Sequence, residues 1–176
     1  LVDLSIGSPV DQTPDVISSA LKQASNSPGY PSATGSEDLR QAMVDWFSNR
    51  RSVSLDKEQV MPTVGSKEFI SWLPVMLGLG PDDVVVQPAL AYTAYEVGAR
   101  FAGCGLISED EPAKWPENTK LIWINSPANP NGSVMSIEDM RSAVARAREL
   151  GAVLVSDECY AELGWLDEFA ETATPC

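Results

Sequence analysis

The chain has 176 residues, 44% of them apolar, and carries 25 acidic against 12 basic side chains for a formal net charge of -13. That charge excludes most sequence-independent nucleic-acid binding, which needs clustered Lys and Arg, and argues against docking on anionic membranes. The absence of His excludes imidazole acid–base chemistry and His-ligated metal. No apolar run approaches the ~18 residues of a spanning helix. The amino end lacks the basic and apolar regions of a signal peptide. Cys104, Cys159 and Cys176 are far apart, without a CxxC pair, which fits a reducing, cytoplasmic setting and no metal site.

The first twelve residues read as a short extended piece and a turn, with Leu1, Val2, Leu4 and Ile6 apolar before Gly7-Ser-Pro9. From residue 13 onward the reading is one incomplete domain. Thr13-Pro14-Asp15 reads as a helix start, with a capping hydroxyl, Pro at the first helical position and an acid in the first turn. The helix it opens is expected to bury Val16, Ile17, Ala20, Leu21 and Ala24. A loop of small residues spans Ser25 to Gly35. Ser36 can cap a second helix with a stripe of Leu39, Ala42, Met43, Trp46 and Phe47 and with Arg50 and Arg51 at its carboxyl end.

Strand and helix patterns then alternate. Val60–Val64 reads as a short strand. Gly65-Ser66 opens a helix through Leu77 with Phe69, Ile70, Leu73, Met76 and Leu77 inward and a kink expected at Pro74. Val84–Val86 is a buried strand, Thr93–Phe101 a helix and Cys104–Ile107 a strand. Residues 108–119 form a polar surface connection. Leu121–Ile124 is a fully apolar strand. Ser136 with Asp139 resembles a capping box for a helix burying Ile137, Met140, Ala143, Val144 and Ala147, and Ala152–Val155 is the last strand. The stretch from Ala161 is polar. Apolar runs with little alternation, separated by amphipathic helices, predict an α/β fold: a mostly parallel open sheet with helices on both faces.

Ligands of open α/β sheets bind at the carboxyl ends of the strands. Four unusual stretches fall there: Gly65-Ser-Lys67, Pro88–Tyr92, Asn125–Gly132 and Asp157–Tyr160. Each has an ordinary structural reading. Asp157 can be a cap or a satisfied structural acid, and Tyr92, Tyr95 and Tyr160 can be core aromatics. Asn125–Gly132 can be a simple crossover turn, and most helix starts resemble Gly65-Ser66. Together they supply a phosphate cradle, an aromatic plate, an amide, a buried acid and a phenol. That set suits a phosphorylated, cationic heteroaromatic ligand such as pyridoxal phosphate.

Several motifs, taken in order, carry a resemblance. They are Asp3-Leu-Ser-Ile-Gly-Ser-Pro9, Tyr30-Pro-Ser-Ala-Thr-Gly35, Val64-Gly-Ser-Lys-Glu68, Pro88-Ala-Leu-Ala-Tyr-Thr-Ala-Tyr-Glu96, Asn125-Ser-Pro-Ala-Asn-Pro-Asn-Gly132 and Asp157-Glu-Cys-Tyr160. Over Val2 to about Trp165 the chain resembles the large domain of fold-type I, pyridoxal-phosphate-dependent aminotransferases. Phe69-Ile-Ser-Trp-Leu-Pro74 and Leu121-Ile-Trp-Ile-Asn125 look most like the actinobacterial succinyldiaminopimelate aminotransferases of lysine biosynthesis.

The resemblance implies a cofactor, pyridoxal 5'-phosphate, and a role for each matching residue. Asp157 would pair with the pyridine nitrogen, and Tyr160 and Asn129 would bond the phenolic oxygen. Tyr92 would stack on the ring, and Ser66 and Lys67 would open the phosphate-cradling helix. Tyr30 would reach the phosphate of the neighbouring subunit, which implies a homodimer. Gly7 and Asn129 would contact the substrate, and Gly35 would shape the dimer contact. The family's Schiff-base Lys and substrate-carboxylate Arg lie downstream of Asp-x-x-Tyr, so they are expected beyond Cys176, together with the small domain. The 176-residue chain alone is therefore expected to be inactive, with no catalytic residue of its own, and to associate through uncovered surfaces.

The implied reaction is transamination between N-succinyl-diaminopimelate and the glutamate/2-oxoglutarate pair. The alternatives are a carbon–sulfur lyase of the same fold and a non-catalytic, aminotransferase-like sensor or remnant. A nucleotide-binding domain is disfavoured, because no GxGxxG or GxxxxGK[ST] loop follows the first strand.

Overall fold

A computed structural model describes residues 7 and 10–163. The amino-terminal segment expected over residues 1–12, apart from residues 7 and 10–12, and the tail after Leu163 with Cys176 lie outside the described residues. The chain divides into two compact units, Leu1–Ser36 and Glu37–Cys176.

The first unit holds one helix, α1 (Asp15–Ala24). Pro14 is its boundary residue, at φ -54 and ψ 144, and its carbonyl accepts the first helical N–H groups, from Ile17 at 3.0 Å and Ser18 at 3.1 Å. The expected Thr13 cap is not made, because the chain turns helical one residue later than a Thr13 cap requires. No residue of α1 is buried. The expected burial of Val16, Ile17 and Leu21 is corrected: all three are exposed, because amphipathic spacing selects a face and tertiary packing must then cover it.

In the second unit, α2 (Glu37–Arg51) is followed by a 3-10 turn at Lys57–Gln59. Arg51 pairs with Glu162 at 2.8 Å, and Arg50 pairs with the same carboxylate. Residues 60–64 form no strand. Val60 has extended dihedrals, φ -121 and ψ 139, but no described strand pairs with this segment, and an extended segment becomes a strand only when a neighbour takes up its backbone hydrogen bonds.

The sheet contains β1 (Val84–Gln87), β2 (Gly105–Ser108), β3 (Thr119–Asn125) and β4 (Val153–Asp157). All pairings are parallel, in the order β2-β1-β3-β4. The chain therefore reverses its direction of travel across the sheet between β1 and β3, which is the place where open α/β sheets form a ligand crevice. Side chains alternate along β3. Leu121 and Trp123 join Val85 on one face against α3 (Ser66–Met76) and α4 (Thr93–Ala102). Ile122 and Ile124 join Val86 on the other face against α5 (Ile137–Leu150).

Two details set how tightly the helices sit. Pro74 lies inside α3 without ending it and is fully buried. It has no N–H to offer Ile70. Opposite this point α4 presents Gly98, where a Cβ would stand 3.0 Å from the Ile70 carbonyl oxygen, 3.1 Å from that of Ser71 and 3.2 Å from Pro74 Cδ. Glycine is thus what allows α4 to lie on α3. Met76 and Leu77, expected inward, are exposed past this contact, as is Ile137 in the first turn of α5. Ser136 does cap α5: its hydroxyl accepts the Asp139 N–H at 3.1 Å and donates to the Asp139 carboxylate at 2.7 Å. Among the described residues no helix is long and apolar enough to cross a membrane.

Candidate active site

The carboxyl ends of β1, β3 and β4 meet the amino end of α3 around a cavity of ≈ 170 Å³ lined by Ser66, Tyr92, Asn125, Asn129, Asp157, Cys159 and Tyr160. The register produces this convergence. Asn125 and Asp157 are paired neighbours at the ends of parallel strands. Counting by twos from Leu121 through Trp123, and from Val155, puts both on the α4 face.

Asp157 is half-buried and held at three points. Its Oδ2 accepts from the Tyr95 hydroxyl at 2.7 Å, and its Oδ1 accepts from the Cys159 N–H at 3.2 Å. Its carbonyl oxygen accepts from Asn125 Nδ2 at 2.8 Å and from the Ser126 N–H at 3.3 Å. Asn125 also accepts the Asn129 N–H at 2.7 Å and donates to the Pro127 carbonyl at 3.2 Å. It thereby fixes the 125–132 loop, whose Ser126-Pro127 and Asn129-Pro130 bonds are cis. Tyr95 is buried, stacked on Trp123 with centroids 4.8 Å apart, and edge-on to half-buried Tyr92 at 6.0 Å. Burial and the adjacent Asp157 carboxylate push the Tyr95 phenol far above its ordinary range, so it remains a donor.

At the other end, Gly65 turns the chain into α3 at φ 80, a conformation that side chains other than glycine avoid. The first N–H groups of α3, including those of Ser66 and Lys67, have no partner within the helix. Together with the helix dipole they suit an anion. Ser66 Oγ lies 3.6 Å from Cys159 Sγ. Burial and Asp157 push the Cys159 thiol up.

Five of the residues singled out in the sequence thus gather here: Ser66, Tyr92, Asn129, Asp157 and Tyr160. Lys67 instead lines a separate groove with Val64, Trp72, Val97 and Phe101, and its main-chain N–H lies in the first turn of α3. Tyr30, Gly7 and Gly35 belong to the amino-terminal unit, where Tyr30 and Gly7 are exposed. Three residues of the site were not assigned to it from the sequence: Asn125, Cys159 and Tyr95. The strand alternation carries the signal for Asn125. The three-residue step from Tyr92 along a helix carries it for Tyr95.

A family model for aminotransferase class I and II matches residues 1–174. The chain belongs to this family. It is 49% identical over 166 residues to the 4-dedimethylamino-4-oxo-anhydrotetracycline transaminase OxyQ of Streptomyces rimosus, an alignment covering 94% of this chain and 46% of that one. An aminotransferase structure from Staphylococcus aureus matches with a TM-score of 0.87 at 27% identity, covering 100% of this chain and 50% of the other. The N-succinyldiaminopimelate aminotransferase structure from Mycobacterium tuberculosis matches with a TM-score of 0.81 at 26% identity, covering 90% and 46%. The chain thus spans about half the length of the relatives it matches. The class I aminotransferases are transferases dependent on pyridoxal 5'-phosphate.

The donor set fits that cofactor. It offers a carboxylate for a protonated ring nitrogen, phenols and an amide for ring oxygen and ring face, and helix N–H groups with a hydroxyl for phosphate.

Proposed function

We propose that the protein to which these residues belong transfers an amino group between an amino acid and a keto acid, with pyridoxal phosphate held in the Asp157 cavity. The observation that carries this reading is the Asp157 carboxylate, anchored through Tyr95, Cys159 N–H and Asn125 on the strand-end edge where open α/β sheets bind ligands. Bound there, the cofactor supplies an electron sink for the substrate's α-carbon.

The chain's own residues do the holding. Asp157 keeps the ring nitrogen protonated by pairing with it. Tyr160 and Asn129 bond the phenolic oxygen, Tyr92 covers one ring face, and Ser66 with the first turn of α3, including Lys67 N–H, binds phosphate. Tyr30 of a neighbouring copy completes the phosphate site, so the working unit is a homodimer. Gly7 and Asn129 lie against substrate. The substrate pair is N-succinyl-diaminopimelate with glutamate/2-oxoglutarate, and the setting is cytoplasmic lysine biosynthesis. Support for this substrate comes from the likeness in fold to the Mycobacterium tuberculosis enzyme.

A second substrate reading is favoured by the higher identity to OxyQ: an anhydrotetracycline-type ring ketone as amino acceptor. Titration of the full-length protein with pyridoxal phosphate, followed in the visible spectrum, tests the site. Binding that disappears in Asp157→Ala is expected, and unchanged binding in that variant overturns the assignment. Incubation with glutamate and either acceptor then separates the two substrates. Release of a thiol, with pyruvate and ammonia, from a cysteine S-conjugate would instead identify a carbon–sulfur lyase, and cofactor binding without any turnover would identify a sensor module.

A further inference from the structure

We infer that Tyr95 is the positioning residue of this site, orienting through one buried side chain both the Asp157 carboxylate and the Tyr92 ring. The inference rests on the proposed pairing of Asp157 with the cofactor's ring nitrogen, and it extends the site to a residue that lines no part of the cavity.

Four observations converge on it. Tyr95 is 0% exposed, and a hydroxyl in such a place must find a partner or lose the hydration it had in the unfolded chain. Its partner is Asp157 Oδ2 at 2.7 Å, a length typical of a charge-assisted bond. The ring itself cannot wander. It is stacked on Trp123 with an interplanar angle of 16° and meets Tyr92 edge-on at 88°. Finally, α4 is seated on α3 at Gly98, one turn after Tyr95, so the helix that carries the phenol has little freedom to move away.

The geometry leaves Asp157 a single orientation. With Oδ2 held by Tyr95 and Oδ1 by Cys159 N–H at 3.2 Å, the carboxylate plane is fixed from both oxygens. Rotation about its terminal torsion, otherwise soft, would break one bond or the other. The remaining lone pairs are those available to a ligand in the cavity that Asp157 lines. A Phe at position 95 would keep the stack and the edge contact and lose only the tie to Asp157. A purely structural role and a positioning role therefore make different predictions for that variant.

The experiment uses the full-length protein and pyridoxal phosphate isotope-labelled at the ring nitrogen, with two readouts: the dissociation constant and the nitrogen NMR resonance of the bound ring. Asp157→Asn is expected to weaken binding severely, with the residual affinity from the phosphate and ring contacts still measurable. Tyr95→Phe is expected to weaken it about tenfold, in line with loss of one hydrogen bond to a charged group, and to shift the ring-nitrogen resonance. In the Asp157→Asn background, Tyr95→Phe should have no further effect, which is the signature of two residues acting through one interaction.

Wild-type affinity and an unmoved resonance in Tyr95→Phe, alongside severely weakened binding in Asp157→Asn, would overturn the inference and leave the site assignment standing. Unchanged binding in Asp157→Asn would overturn the site assignment itself. Should Tyr95→Phe fail to fold, fluorotyrosine at position 95 keeps the shape and changes only donor strength. The resonance must then move, and an unmoved one overturns the proposal.

Discussion

The sheet core and helix α1 both carry apolar residues patterned for burial, and they meet opposite fates. Leu121 in β3 is 0% exposed, whereas Leu21 in α1 is 66% exposed. The strand finds two helical layers and neighbours on both sides in register. The helix, within its own unit, finds nothing to cover its stripe. Periodicity states which side of an element seeks burial, and only contacts from elsewhere in the chain, or from another chain, provide it.

The largest expected effect tests this contrast directly. Leu121→Ala should destabilise the folded chain by about 2–5 kcal/mol in denaturant titration, whereas Leu21→Ala should stay within about 0.5 kcal/mol. A comparable loss at both positions would mean that α1 is covered in solution. Sedimentation of the same chain complements this test: the exposed apolar surface predicts dimers or larger species, and a monomer at high concentration would break that expectation.

Next in size is Gly98→Ala. The added methyl meets two carbonyl oxygens and a proline ring at 3.0–3.2 Å, and overpacking of this kind costs roughly 1–3 kcal/mol. A smaller loss would show that α4 can lift from α3 without penalty. Ser136→Ala removes the cap of α5 and should cost about 1 kcal/mol by the same measurement. The Ser18 hydroxyl in α1 bonds only local carbonyls, so Ser18→Ala should change little.

The pH responses are the smallest effects, and their signs follow from the shifts. Arg50 first, then Arg51, holds the Glu162 carboxyl below its ordinary range. Its contribution is therefore present above the normal carboxylate range and fades as pH falls through the lowered value. Glu162→Gln should accordingly flatten the acid limb of the stability profile, and an unchanged limb would remove this ion pair from the account. Tyr95 is shifted in the opposite sense. Its contribution is complete below the ordinary tyrosine range near ~10 and declines above it. Spectroscopic titration of the four tyrosines should show fewer than four ionising before the chain unfolds, with Tyr95→Phe leaving that early count unchanged.

Much of the fold was legible because buried parallel strands write themselves as unbroken apolar runs. β1, β3 and β4 fall within three residues of where Val84–Val86, Leu121–Ile124 and Ala152–Val155 placed them. The Ser136 cap was legible for a local reason: both its partners lie within three residues. The segment at 60–64 has the composition of a strand and forms none, because β-prone composition says nothing about whether a neighbour is present to pair with it. Lys67 stands beside Ser66 at the start of α3, as the resemblance implies, but successive helix positions point in directions about 100° apart, and Lys67 lines the α3–α4 groove. Tyr95 stayed undecided between core and site because it is both: a core residue by burial and a neighbour of the site by its hydroxyl.

By itself, the sequence determined the element types, the parallel character of the sheet and the set of polar groups that strand ends would present, since each depends on local spacing and on the chemistry of a few side chains. Only the tertiary structure decided that β1 and β3 lie side by side with their onward connections running to opposite sides, that Asn125 and Asp157 share a register, and that Tyr95 reaches Asp157 across 62 residues of chain. Such placements depend on which strand lies beside which and on how closely two helices can approach. They are set by packing between distant segments, and no local window of residues contains that information.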